Sequence, residues 1–180
     1  MNNEKILNKG GIMVADTSSI VYLTKVSLIK KYCLFKSIIV SKQIYEELIC
    51  NKELLNNNDI SIYNELILNN QLKVYSEVNK INIKKNNLIG KLSAADESII
   101  NLYFNSISQG ILTDDGRLCK FCKFYCIPYI NTPMALFSMA VNNVISSKIF
   151  FEKLIDVYRI GRYSQFVYDY MDRIISKNLT

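Results

Sequence analysis

Short apolar runs alternate with amphipathic stretches along this chain. Ile12-Met13-Val14-Ala15 is a continuous apolar run of strand length, and it stops at Asp16. Thr17, Ser18 and Ser19 follow as cap-type residues, and Ile20 to Thr24 has a helical pattern. Leu28 to Leu34 predicts a second short helix. Ser37-Ile38-Ile39-Val40 predicts a strand, with Ser41 capping a helix over Lys42 to Cys50. Ile60 to Asn69 is helical in pattern, and Leu72-Lys73-Val74-Tyr75 alternates as an edge strand does. Ser93 caps a helix over Ala94 to Ser106, with Gly110 closing the turn after it. Ile111-Leu112-Thr113 predicts a strand running into Asp114-Asp115-Gly116, followed by a helix over Arg117 to Tyr125 and a strand over Ile127 to Ile130. Asn131-Thr132-Pro133 starts another helix, with proline at the first helical position. Two further helices are predicted at about 147–160 and, behind the cap Ser164, at about 165–177. The Asn- and Lys-rich patches at 51–59 and 79–87 read as exposed turns.

Strands that alternate with helices imply an α/β fold with a mostly parallel sheet. Such sheets carry their sites beyond the C-terminal ends of the strands. The residues there are acidic. Asp16 closes the first strand, and Asp114 and Asp115 close a later one. Glu46 and Glu47 lie on the helix after the second strand, and Asp96 sits three residues after Ser93. Taken singly, each has an ordinary explanation: a turn or cap aspartate, a solvated helix face, or a capping box in Ser93-Ala94-Ala95-Asp96. Together they converge on one sheet edge, where carboxylates repel one another unless a cation neutralises them.

Composition narrows the chemistry. The chain has 180 residues and no histidine. That excludes Ser-His-Asp and Cys-His triads, histidine-ligated zinc sites and paired-histidine nucleases. Oxygen ligands without imidazole or thiolate favour Mg²⁺ or Mn²⁺, ions that activate water and stabilise charge on a phosphoryl group. Without an imidazole, activity is expected to follow the carboxylates and bound water, and a histidine-like inflection near pH 6.5 would argue against the reading. The net charge of +6 suits a polyanionic partner, although a Lys- and Asn-rich composition from an AT-rich genome yields the same charge. No apolar run has the length of a membrane span or a signal-peptide core, so a cytoplasmic protein without membrane contact is expected. Cys119, Cys122 and Cys126 fall at i, i+3 and i+7 of a predicted helix, the spacing of a buried stripe rather than of a metal site. Tyr158, Tyr163, Tyr168 and Tyr170 suggest packing or an oligomer interface, with base stacking as the other reading.

Four segments resemble the PIN-domain ribonucleases, including the toxin nucleases of bacterial toxin–antitoxin pairs. They are Val14-Ala15-Asp16-Thr17-Ser18, Ile44-Tyr45-Glu46-Glu47-Leu48, Leu92-Ser93-Ala94-Ala95-Asp96-Glu97-Ser98-Ile99 and Ile111-Leu112-Thr113-Asp114-Asp115-Gly116-Arg117. Their order and spacing agree over residues 12–130, and the helical tail from Thr132 to Ile175 resembles that of a compact subfamily. The resemblance implies a single domain over 1–180. Its core is a three-layer α/β/α sandwich over about 12–145, with extra C-terminal helices over about 146–180. It further implies a ribonuclease with Mg²⁺ or Mn²⁺ in an acidic pocket. Asp16, Glu47, Asp96 and Asp115 would be catalytic, with Asp16, Asp96, Asp115 and Asp114 as metal ligands. Ser18 and Thr113 would support them. RNA, an antitoxin protein and a second copy of the chain are the implied partners. Many members carry a further acid where this chain has Arg117, which could contact a substrate phosphate instead. That departure keeps open a non-catalytic binding protein of the same fold. A phospho-acceptor domain is disfavoured, because its acidic pair follows the first strand and here the pair comes last.

Overall fold

The structure is a computed structural model that describes residues 4–50, 56–76 and 92–178. Five strands form one sheet in the order β3-β2-β1-β4-β5, and every neighbouring pair is parallel. They are β1 (Ile12–Ala15), β2 (Ser37–Ser41), β3 (Leu72–Tyr75), β4 (Gly110–Leu112) and β5 (Tyr129–Ile130). Met13, Val14 and Ala15 are buried in succession, as are Ile38, Ile39 and Val40, and Ile111 and Leu112. Consecutive burial means that both faces of the central strands are covered, the condition of a parallel sheet layered by helices.

The helices before the tail are α1 (Glu4–Leu7), α2 (Thr17–Lys25), α3 (Ile29–Phe35), α4 (Lys42–Cys50), α5 (Asn57–Leu68), α6 (Ala94–Asn105), α7 (Gly116–Phe124) and α8 (Thr132–Val141). Helix α6 packs on β1, β2 and β4 and against α4, while α3 touches β2, α5 and α8. The tail helices are α9 (Ser147–Ile160) and α10 (Gln165–Asn178), and both pack on α8. Phe150, Leu154, Val157 and Met171 carry that contact as buried side chains.

Local chemistry sets the helix starts. Ser41 Oγ accepts from the Ile44 N–H at 3.2 Å, opening α4 as expected. Asn131 accepts from Met134 N–H at 3.1 Å at the start of α8, and Ser146 from Ile149 N–H at 3.3 Å at the start of α9. Helix α5 begins three residues ahead of its apolar pattern, because Asn56 and Asp59 form a reciprocal capping box. Of the two polar patches read as turns, 51–55 and 79–87 lie outside the described residues, and Asn57 to Asp59 belong to α5. Helix α2 likewise starts earlier than expected, at Thr17.

The cysteine stripe is partly corrected. Cys122 is buried and Cys119 half-buried on α7, but Cys126 is exposed beyond the helix end. Cys126 has φ 56°, the left-handed backbone of a helix terminus. Gly110 does not close a turn. It is the first residue of β4, and a Cβ there would meet Ile6 Cδ1 at 2.2 Å and the Pro128 carbonyl oxygen at 2.6 Å. Backbone cannot yield as a flexible side chain can, so Gly110→Ala should cost about 1–3 kcal/mol, read as a lower urea midpoint at unchanged slope.

Candidate active site

The strand order reverses direction at β1. The chain proceeds from β1 to β2 and β3 on one side, then crosses back to β4 and β5 on the other. Ligands of doubly wound sheets bind outside the strand ends at such a switch. Asp16 stands there, immediately after β1, and its N–H donates to Leu112 O of β4 at 2.9 Å.

Asp16 occupies the N-cap position of α2, but its side chain forms no cap. Its Oδ2 instead accepts from Ser18 Oγ at 2.7 Å and from Thr113 Oγ1 at 3.1 Å. Thr113 is fully buried, and the same Oγ1 accepts from the Asp115 N–H at 3.1 Å. One hydroxyl therefore joins the end of β1 to the loop after β4. Ser18 and Thr113, the supporting residues that the family resemblance implied, both contact the Asp16 carboxylate.

Asp96 is 5% exposed. Its Oδ2 accepts from Ser93 N–H and Ser93 Oγ, each at 2.8 Å, while its own N–H donates to Ser93 Oγ at 3.0 Å. It is thus a capping-box residue and a neighbour whose charge acts on Asp16. Asp115 caps α7, with Oδ1 accepting from Arg117 N–H at 2.8 Å and Leu118 N–H at 2.9 Å. Arg117 Nε is 4.0 Å from the same oxygen. Arg117 also borders an open hollow with Leu92, Ser93, Ala94 and Glu97, so it faces the start of α6. Glu47 and Glu46 part company. Glu47 accepts from Thr17 Oγ1 at 2.7 Å, beside Asp16, whereas Glu46 pairs with Lys42 at 3.7 Å along its own helix.

Asp114 is saturated. Its Oδ1 accepts from Thr132 N–H at 3.0 Å and Tyr163 Oη at 2.7 Å, and its Oδ2 accepts from the Ser19 and Thr132 hydroxyls, each at 2.5 Å. Four donors on two oxygens make it an organiser that ties α2, α8 and the α9–α10 loop to the end of β4. Sequence reasoning missed Thr132, Ser19 and Tyr163 in this role. Ser19 and Thr132 resembled ordinary helix-start residues, and Tyr163 lies 49 residues from Asp114 with no local signal.

Burial pushes the Asp16 carboxyl up from its ordinary 3.8 to about 6. Its bonds to Ser18, Thr113 and the Thr17 backbone oppose the rise, and the Asp96 charge adds to it. No Lys or Arg is among the described groups acting on it. In the metal-free protein this carboxyl is therefore harder to ionise than an exposed one. Burial also pushes the Cys119 thiol up to about 12, with Asp114, Asp115 and Asp16 adding to it, so it stays a protonated thiol at neutral pH.

The fold is a parallel α/β sheet with acidic residues at its switch point. A PIN-domain family model matches residues 12–173, and the chain belongs to that family. PIN domains are usually nucleases and typically use divalent metals. No curated protein matches the chain. Among the described residues, no three Asp, Glu or Cys side chains close on one point as a metal-holding group. The donors are all-oxygen, and no Lys or Arg among the described groups acts on the desolvated Asp16 carboxylate, so their chemistry fits a hard divalent ion. Mg²⁺ is commonly held by one or two carboxylates plus water, which does not require a third converging acid.

The raised pKa has a sign. The unfolded carboxyl loses its proton near 3.8 and the folded one near 6, so metal-free stability falls as pH rises through that window. The difference is on the order of 3 kcal/mol. In EDTA, Asp16→Asn should therefore raise the melting temperature above pH 6.5 and leave it little changed at pH 4. Equal melting shifts at both pH values would contradict the burial argument.

Proposed function

We propose that this protein is a divalent-metal-dependent ribonuclease, with Mg²⁺ or Mn²⁺ held at the β1–β4 edge. The observation that carries the reading is the buried Asp16 carboxylate beside Asp96 at the switch point, with no Lys or Arg acting on it among the described groups. When bound, a divalent ion supplies Lewis-acid polarisation and activates water for phosphodiester hydrolysis. Asp16 is the anchoring ligand, and Ser18 and Thr113 fix its orientation through Oδ2. Asp96 provides the second charge, held by Ser93. Asp115 and Glu47 flank the anchor from α7 and α4. Asp114, also expected as a ligand, serves to set the loop after β4, because all four of its bonds go to protein donors. Arg117 stands at the rim for a substrate phosphate. The family resemblance further supports a toxin role, with an antitoxin protein and a second copy of the chain as partners, in the cytoplasm. No described helix is long and apolar enough to cross a membrane.

A second reading is a non-catalytic nucleic-acid- or protein-binding member of the family. Arg117 in place of an acid favours it, as does the lack of three converging acidic groups among the described residues. The two readings separate by experiment. The purified protein is expected to cleave single-stranded RNA with Mg²⁺ or Mn²⁺ and to stop in EDTA. Asp16→Asn should lower cleavage at least 100-fold, in line with the loss of an electrostatic catalytic group. Cleavage that survives the substitution would sink the assignment, and no calorimetric binding of millimolar Mg²⁺ or Mn²⁺ would favour the second reading.

A further inference from the structure

The tail helix α10 carries an exposed stripe that its own fold does not use. Phe166, Tyr170, Arg173 and Lys177 recur at i, i+4, i+7 and i+11, so they share one face over roughly 16 Å of helix. All four are exposed, Phe166 by 67% and Tyr170 by 40%. The two rings stack, with centroids 6.2 Å apart and planes within 14°. By contrast, Tyr158 packs internally against Tyr163 at 5.7 Å and Tyr168 at 4.3 Å, and Met171 is buried. The Phe166–Tyr170 pair therefore lies on the surface, apart from the packed tyrosines of the tail.

The charges beside it are selective. Arg162, in the loop just before α10, is exposed, and Arg162, Arg173 and Lys177 enter none of the ion pairs among the described residues. Arg173 is exposed, and its Nε donates to the Asp169 backbone carbonyl at 3.2 Å. The two acids of α10 are exposed too, and each has a neighbour within the tail. Asp169 accepts from Gln165 at 2.9 Å, and Asp172 lies close enough to Tyr158 for its charge to act there.

The stripe is also continuous with the acidic edge. Tyr163 Oη donates to Asp114 at 2.7 Å, and its ring meets Tyr22 of α2 edge-on at 6.5 Å. Phe166 follows Tyr163 by three residues, so their Cα atoms are at most roughly 11 Å apart. Gly161 makes the approach possible, because a Cβ there would meet the Tyr163 ring at 2.2 Å.

We infer that Phe166 and Tyr170, with Arg162, Arg173 and Lys177, form a binding platform for single-stranded RNA that leads to the carboxylate edge. Exposed rings stack on bases of any sequence, and the interleaved cations follow the phosphates. Duplex bases are already stacked on one another, so the platform selects unpaired strands. The inference rests on the ribonuclease reading for its substrate, but binding needs neither metal nor cleavage.

The test is fluorescence anisotropy of the full chain with a labelled single-stranded oligouridine in EDTA, across a salt series. Phe166→Ala/Tyr170→Ala should weaken binding roughly tenfold or more. Arg173→Ala/Lys177→Ala should lower the slope of log affinity against log salt by about 0.7 for each phosphate contact removed. Circular dichroism melts confirm that these surface variants stay folded. Unchanged affinity and slope in both variants would overturn the platform. So would unchanged affinity with a shift from dimer to monomer in sedimentation, which would assign the face to a second copy. Wild-type binding without cleavage would sink the nuclease reading alone. Cleavage abolished by Asp16→Asn, together with undisturbed binding in the platform variants, would sink the platform alone.

Discussion

A carboxylate held out of water at the point where β1 and β4 diverge governs the rest of this molecule. Asp16 is 9% exposed, and burial outweighs the three hydrogen-bonding groups that favour its charged form. Nothing in the packing of the sheet requires an acid there. Alanine precedes it in β1, so the strand itself is apolar up to the point where the charge is desolvated. The arrangement is stable because Ser18 and Thr113 hold one oxygen and because the neighbouring acids are each restrained by a cap or a hydroxyl. The unfavourable energy left in Asp16 is why burial pushes its carboxyl up to about 6.

Asp114 performs the complementary task. Its four hydrogen bonds reach Ser19 on α2, Thr132 on α8 and Tyr163 before α10. Elements from opposite ends of the chain are thereby fastened to the loop that carries Asp115. The two adjacent aspartates therefore differ in kind. Asp114 is satisfied by protein donors on both oxygens, whereas Asp115 spends Oδ1 on capping α7. The tail helices are part of the same architecture, since Tyr163 brings the start of α10 to the acidic edge and turns its aromatic and basic stripe outward.

Much of this was legible along the chain. Apolar runs of strand length marked β1, β2 and β4, and capping residues marked the starts of α4, α6 and α8, because both depend on neighbours a few residues away. Asp16, Asp96 and Asp115 were recognisable as acids at strand ends or first helical turns. Glu47 could be preferred to Glu46 only through the family pattern, and the fold supplied the physical distinction: Glu47 turns to Thr17 and Glu46 to Lys42. Lys36 escaped notice altogether. It is 1% exposed at the far edge of the sheet, donating to the Gly10 carbonyl at 2.8 Å and Gln109 Oε1 at 2.9 Å, and these two partners come from separate segments.

The division follows from the range of the forces involved. Hydrophobic period, caps and the supply of acidic and basic side chains are written in residues close together, so the sequence alone determined an α/β chain of parallel strands with carboxylates at their ends. The absence of histidine determined that those groups are oxygen donors. Which strands are neighbours is decided only when β4 returns to the other side of β1. That return sets Thr113 against Asp16, 97 residues away, and raises the pKa of a carboxylate that would be ordinary in water. The role of Asp114 and the outward face of α10 are likewise decided by tertiary contacts, since burial and hydrogen-bond partners exist only once distant segments have met.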